Sequence, residues 1–170
     1  MGPRPEPSLV PAPDAARAAS LAILAAAALA ACASPPLSAT AETATVAEIR
    51  RDLESIPAAL AARGPNGWLG HCDPADFRMI SDGAVKFASF GELRTAMAGF
   101  AMTVRAMELN WRDLRIEPMT DRLAWFSTAY DERITDTVGG ESTFDGSVTG
   151  MLRRVGNRWL ITRLHWSQRP

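Results

Sequence analysis

Four long β-rich runs crowd the C-terminal part of the chain. Leu109–Glu117, Arg122–Arg133, Glu141–Val155 and Trp159–Trp166 are separated by breaks at Pro118–Asp121, Val138-Gly139-Gly140 and Gly156-Asn157. Gaps this short cannot hold a crossover helix, so successive runs must pair as antiparallel neighbours. Such lengths are awkward in a flat sheet and suit one that bends strongly around a helix. Upstream the apolar period changes. Val46, Ile49, Leu53, Ile56 and Leu60 recur every three or four residues, which predicts a helix over Thr45–Arg63. Thr45 and Glu48 have capping-box spacing, and Pro57 predicts a kink or a break into two pieces. Gly64-Pro65-Asn66-Gly67 ends the helix, and Trp68–Asp76 reads as irregular. Phe77–Ile80 and Ala84–Phe87 flank Ser81-Asp82-Gly83, a hairpin signal. Gly91–Glu108 reads as a second helix. Leu93, Met97, Phe100, Met102, Val104 and Met107 make most of its circumference apolar, so it is expected to be deeply buried. Helices first and a curled antiparallel sheet after is an α+β arrangement.

The N-terminal segment reads as an address. Ala18–Ala31 is an uncharged apolar run of fourteen residues entered at Arg17. A bilayer-spanning helix needs about 20 residues, so a secretory signal peptide over 1–31 is the expectation, followed by a Pro/Ser/Thr/Ala linker over 32–44. Leu29-Ala30-Ala31-Cys32 resembles the lipobox of bacterial lipoproteins, in which the Cys is lipidated and becomes the new N-terminus. Two alternatives stay open, cleavage after Ala39-Thr40-Ala41 and a Cys32–Cys72 disulfide. Ala33 stands where an inner-membrane retention signal would carry Asp. By the same resemblance this implies an outer-membrane anchor on the periplasmic side. A soluble periplasmic or secreted protein is the alternative.

Charge and composition exclude several classes. Eighteen basic residues stand against nineteen acidic, a net charge of −1, so no basic field favours nucleic acid. Two Cys and two His rule out a four-cysteine zinc site. Gly139-Gly140, Gly146 and Gly150 fail phosphate-loop spacing and instead suit sheet bending. No metal or cofactor is implied.

The order of helix, Asp-Gly hairpin, GELRTAM helix and long strands carries a resemblance. Asp121–Phe126, Gly150–Arg154, the Gly156-Asn157-Arg158-Trp159 turn and the closing His165-Trp166-Ser167 supply its motifs. Over about 45–168 the chain resembles the SnoaL-like branch of the nuclear-transport-factor-2-like superfamily. That resemblance implies a cone-shaped barrel, with N-terminal helices packed in a strongly bent antiparallel sheet around a pocket. It leaves function open, since one fold hosts steroid isomerases, cyclases, dehydratases and non-enzymes.

His165 is the candidate acid, base or ligand anchor. Regular alternation puts it on one face with Trp159, Ile161, Arg163 and Ser167, so an inward His165 would bring Arg163 with it as a site for a carboxylate or enolate. Tyr130, the one tyrosine, could present its hydroxyl to a ligand; Trp68, Trp111 and Trp125 read as core or pocket lining. The resemblance leads one to look for a desolvated Asp as proton shuttle, but Asp82, Asp113, Asp131 and Asp145 all read as turn, edge or rim residues. His71-Cys72-Asp73 lies in a loop and reads as structural. The first functional reading is therefore a non-catalytic envelope lipoprotein that binds a small apolar or carboxylate-bearing ligand. The alternative is an isomerase, cyclase or dehydratase using His165. A sheet face carrying Trp159 or Trp166 would favour a homodimer. The anchor is testable by Cys32→Ser, which should release the protein from the membrane to the soluble periplasmic fraction. Unchanged membrane retention would count against lipidation.

Overall fold

The computed structural model describes Gly2 and residues 37–169. The leader, Cys32 and the first part of the expected linker lie outside the described residues. Helix α1 spans Ala39–Arg63, so it starts six residues before Thr45. Ser38 caps it, its hydroxyl accepting from the Ala41 N–H at 3.3 Å. Thr45 is instead buried inside the helix. Glu48, the expected capping partner, pairs with Arg154 and accepts from Trp159 Nε1 at 3.4 Å.

Pro57 does not break α1, which runs unbroken through it. A proline has no N–H, so the carbonyl four residues earlier, on Leu53, loses its helical donor. The Trp111 indole N–H donates to that carbonyl at 3.0 Å. The strand thus supplies the bond that the helix lacks, and α1 stays whole. A 3-10 helix over Gly64–Gly70 continues the chain where the sequence predicts an irregular segment. A Cβ on Gly67 would fall 2.5 Å from the Ala59 carbonyl oxygen, so this turn packs closely on α1 only with glycine there.

Strands β1 (Arg78–Ser81) and β2 (Ala84–Phe87) form the hairpin, followed by helix α2 (Phe90–Ala101). Then come β3 (Val104–Pro118), β4 (Leu123–Asp136), β5 (Glu141–Val155) and β6 (Arg158–Gln168). Their order in one curved sheet is β2-β1-β6-β5-β4-β3. The pairs are antiparallel except β1 with β6, which run parallel. The sheet is therefore mixed, a correction to the antiparallel expectation: α2 and the whole meander intervene before β6 returns beside β1.

The second helix is also shorter than expected. Ser89 caps α2, and the turn ends in i→i−3 bonds from Met102 and Thr103. Met102 is 79% exposed, while Val104 and Met107 belong to β3, paired with Asp136 and Ile134. The long apolar stretch is a helix followed directly by a strand. Only Leu93 of α2 is buried. Among the described residues, no helix is long and apolar enough to cross a membrane.

Two bulges bend the sheet. In β3 the register passes from Arg112 opposite Ala129 to Arg115 opposite Ser127, and Asp113 there has φ +54°. The Thr128 hydroxyl donates to the Arg112 carbonyl at 2.8 Å and holds that bend. In β6 the register passes from Ile161 opposite Leu152 to Arg163 opposite Met151, leaving Thr162 as the extra residue. Its hydroxyl donates to the Met151 carbonyl at 3.3 Å. An extra residue swaps the two faces of everything beyond it. Trp159 and Ile161 therefore face α1 before the bulge, and Leu164 and Trp166 face inward after it. Trp159 is 2% exposed, so neither tryptophan supplies the open face from which a dimer was argued.

The Leu53–Trp111 bond is testable by a double-mutant cycle. Trp111→Phe should cost about 1–3 kcal/mol by leaving the Leu53 carbonyl unpaired. In a Pro57→Ala background the backbone N–H restored at that position takes the Leu53 carbonyl, and the cost should fall by about 1 kcal/mol. Equal costs in both backgrounds, measured by urea unfolding, would show that the indole matters only through packing.

Candidate functional site

A cavity of about 700 Å³ lies between the inner face of the sheet, α2 and the 3-10 helix. Leu93, Ala96, Met97 and Phe100 line it from α2, at the spacing of one helical face. This is why α2 is amphipathic without being deeply buried. From the sheet come Tyr130, Glu132 and Ile134 of β4, Phe144 of β5, and Leu164 and Trp166 of β6. At one end Trp68, Trp111, Trp166 and Tyr130 pack as an aromatic cluster. Trp68 meets Trp166 edge-on at 5.6 Å, and the Tyr130 and Trp166 ring centroids are 4.3 Å apart.

Glycines opposite the aromatics make this packing possible. Tyr130 is paired with Gly146, and Phe126 with Gly150. A Cβ at Gly146 would stand 2.0 Å from the Ser167 carbonyl oxygen and 3.0 Å from the Tyr130 ring. These two strand glycines leave room for the rings on the inner face.

Tyr130 is fully buried and lines the cavity; the Trp166 indole lies beside its hydroxyl, and among the described residues no group accepts that hydroxyl's proton. A buried phenol without an acceptor costs free energy unless a ligand supplies one. Burial pushes its pKa up, so it stays a donor at neutral pH. Two residues along, Glu132 lines the same cavity between Leu109 and Phe144 in the register. Among the described residues its carboxylate takes part in no hydrogen bond or ion pair. Burial pushes its pKa up to about 7. Glu132 also lines a smaller pocket of about 340 Å³ whose walls include Glu108, Asp131 and Asp145. Asp131 and Arg133 alternate to the opposite face of β4, so the sheet backbone separates that pocket from the cavity.

The residues singled out from the sequence divide between the two faces. Tyr130 and Trp68 line the cavity. Trp111 packs behind Trp68 and Trp166 and bonds to α1. His165, Arg163 and Trp125 are corrections. His165 is exposed, and its neighbours Leu164 and Trp166 take the cavity side. Arg163 points outward and pairs with Asp76 at 2.8 Å. The bulge at Thr162 turns both of them away. Trp125 lies on the outer face, beside Met151 in the register and two residues from Ser127. Asp82 accepts from the Gln168 N–H and the Ser81 hydroxyl, tying the hairpin to β6. Asp113 sits in the β3 bulge. Asp131 pairs with Arg112 at 2.7 Å, and Asp145 with Arg169 at 3.0 Å.

His71-Cys72-Asp73 separates into three roles. Asp73 is buried and pairs with Arg153. Cys72 lines the cavity as a free thiol whose pKa burial pushes up. His71 is pushed down to about 4, first by burial and then by Arg158 and Arg63, so it is neutral at pH 7. Among the described residues no group of three or more His, Cys, Asp or Glu could hold a metal ion.

Sequence reasoning passes over Glu132, though a signal is present. Phe126, Thr128, Tyr130, Glu132 and Ile134 alternate on one face of β4. An acid inside an apolar stripe is the mark of a desolvated carboxylate. Its protonation gives a signed prediction. The folded state holds the proton more tightly than the unfolded chain, which titrates at the ordinary 4.5. The resulting stability is complete below about pH 4.5 and is lost as pH rises through about 7. Glu132→Gln should therefore gain on the wild type between pH 5 and 8, by the order of 2 kcal/mol at pH 8. A difference that does not change with pH, in urea unfolding, would show the carboxyl to be solvated.

Comparison with known proteins agrees with this fold. The family profile of the SnoaL-like domain matches residues 68–169. No curated protein matches the chain. Among solved structures, a provisionally assigned scytalone dehydratase from Novosphingobium aromaticivorans DSM 12444 superposes with TM-score 0.67 at 11% identity, covering 75% of this chain and 86% of that one. A hexachlorocyclohexane dehydrochlorinase of type 2 gives 0.64 at 10% identity, covering 78% and 90%. A nuclear transport factor 2-like superfamily protein from Salmonella enterica serovar Typhimurium LT2 gives 0.64 at 10% identity, covering 75% and 93%. At these identities the likeness is one of fold, the cone-shaped α+β fold. The family match spans more than half of the chain, and the protein belongs to the SnoaL-like domain family.

Proposed function

We propose that this domain is a small acid–base enzyme acting on an apolar molecule, with Glu132 as the proton acceptor and Tyr130 as the donor to developing negative charge. One observation carries the reading. An ionisable carboxyl raised to about 7 and a buried phenol whose proton no described residue accepts sit two residues apart on one strand, in one apolar cavity. A base poised near neutrality is both available and strong enough to take a proton from carbon. A phenol that stays protonated stabilises an enolate-like oxygen without water present. The reaction class is proton abstraction followed by isomerisation or elimination. The relatives named a dehydratase and a dehydrochlorinase are eliminating enzymes by name.

Binding without turnover is the second reading, favoured by the predominance of apolar side chains in the lining. Turnover of 5-nitrobenzisoxazole separates the two readings, since a base takes its C–H proton as the N–O bond opens to a coloured phenolate. The expected rate rises with pH through about 7, the pKa of Glu132. Glu132→Gln should lower it by about 100-fold or more. A rate above buffer that survives Glu132→Gln would remove Glu132 as base, and binding with no turnover would favour the carrier.

We further propose that the protein is an envelope lipoprotein and a homodimer. Cleavage before Cys32 leaves the Ser38 cap and all of α1 in place, whereas cleavage after Ala41 removes the cap. The outer face supplies a surface suited to a second copy. Trp125 beside Met151, Ser127 beside Thr149 and Ala129 beside Ser147 form an uncharged, half-open patch. Light scattering at micromolar concentration reads the dimer directly.

A further inference from the structure

Lys86 is the one lysine of the chain and, among the described residues, the one cation lining the apolar cavity. Its place on β2 is irregular. Met79 pairs with Phe87 and Ile80 with Val85, so Lys86 is the extra residue of a third bulge. In a regular strand Phe87 and Lys86 would face opposite sides. Here both line the cavity, as a bulge that re-aims a side chain allows. An edge strand often carries lysine merely to deter pairing with other chains. This one is turned toward the chamber instead. Lys86 remains exposed, which places it at the rim while Phe87 is buried. Among the described residues its ammonium enters no ion pair. The nearby Asp82 carboxylate feels the Lys86 charge, though its hydrogen bonds come from the Gln168 N–H and the Ser81 hydroxyl. Lys86 on β2 and Glu132 on β4 are separated in the sheet by β1, β6 and β5. The rim cation and the inner carboxyl are separate ends of one chamber.

We infer that the cavity selects amphipathic organic anions, with an apolar body against Trp68, Leu93 and Phe100 and an acidic head at Lys86. This deepens the proposed function and rests on its reading of the cavity as the ligand site. The anchoring role that strand alternation would give Arg163 passes to Lys86, because Arg163 is on the outer face and held by Asp76.

Two probes that share one skeleton test the inference. N-phenyl-1-naphthylamine is neutral, and 8-anilinonaphthalene-1-sulfonate adds a single anionic group. Both fluoresce on entering an apolar site. The wild type should bind the anion about fivefold more tightly at low salt, an advantage that shrinks as salt rises. Lys86→Met should abolish the preference and leave the neutral probe's affinity unchanged, and Lys86→Glu should reverse it. Equal affinities in the wild type, or a preference that survives Lys86→Met, would overturn the inference while the cavity stands. Failure of the neutral probe to bind the wild type at all would overturn both the inference and the cavity reading.

Discussion

The cavity depends on one change of face in β6. Hydrogen bonding fixes the strand between β5 and β1, and alternation then dictates which side chains face inward. One extra residue at Thr162, held by its own hydroxyl on the Met151 carbonyl, reverses that alternation. Before it, β6 offers Trp159 and Ile161 to the α1 core. After it, β6 offers Leu164 and Trp166 to the chamber. One strand therefore serves two packing problems, a solid core at one end and a hollow at the other. The bulges in β3 and β2 work the same way, one bending the sheet and the other aiming Lys86 at the rim.

The solid end is held by polar groups as well as by apolar packing. α1 lays Ile49, Leu53, Ile56 and Leu60 into the core, all 0–1% exposed. Its proline would leave a buried carbonyl bare, and Trp111 closes that gap. Glu48 and Asp52 on the same helix receive Arg154, the Trp159 indole and the Trp159 backbone N–H. Most polar groups are paired at this end, as a dry core requires, with the Arg154 Nε a buried exception. At the hollow end, among the described residues, nothing accepts the proton of the Tyr130 hydroxyl, and the Glu132 carboxylate enters no ion pair.

Much of the architecture is legible in the residues alone. The β5 boundaries Glu141–Val155 follow from the sequence to the residue, since the Gly139-Gly140 and Gly156-Asn157 breaks are sharp. The second helix is misjudged at its C-terminal end. Val104 and Met107 continue the helical spacing of Met97 and Phe100, and only the pairing of Val104 with Asp136 and Met107 with Ile134 assigns them to a strand. The site is half legible. Tyr130 and Trp68 stand out in the sequence, while Glu132 is overlooked beside Asp131, although its apolar neighbours on β4 already mark it. His165 and Arg163 are misplaced for a different reason. A bulge leaves no signature in residue types, and one inserted residue reverses every inference drawn from alternation.

The sequence by itself determined the α+β class, the hairpin, the antiparallel order of the last four strands and the apolar stripe of α1, because periodicity and turn residues are local properties. The tertiary structure alone decided that β6 returns parallel to β1, that α1 survives Pro57, and that Lys86 faces the chamber while His165 does not. Each of these depends on a partner distant in the chain. The donor to Leu53 comes from Trp111, and the register of β6 is set by Met151 and Leu152. Such pairings are set by the packing of the whole sheet, which no short stretch of residues encodes.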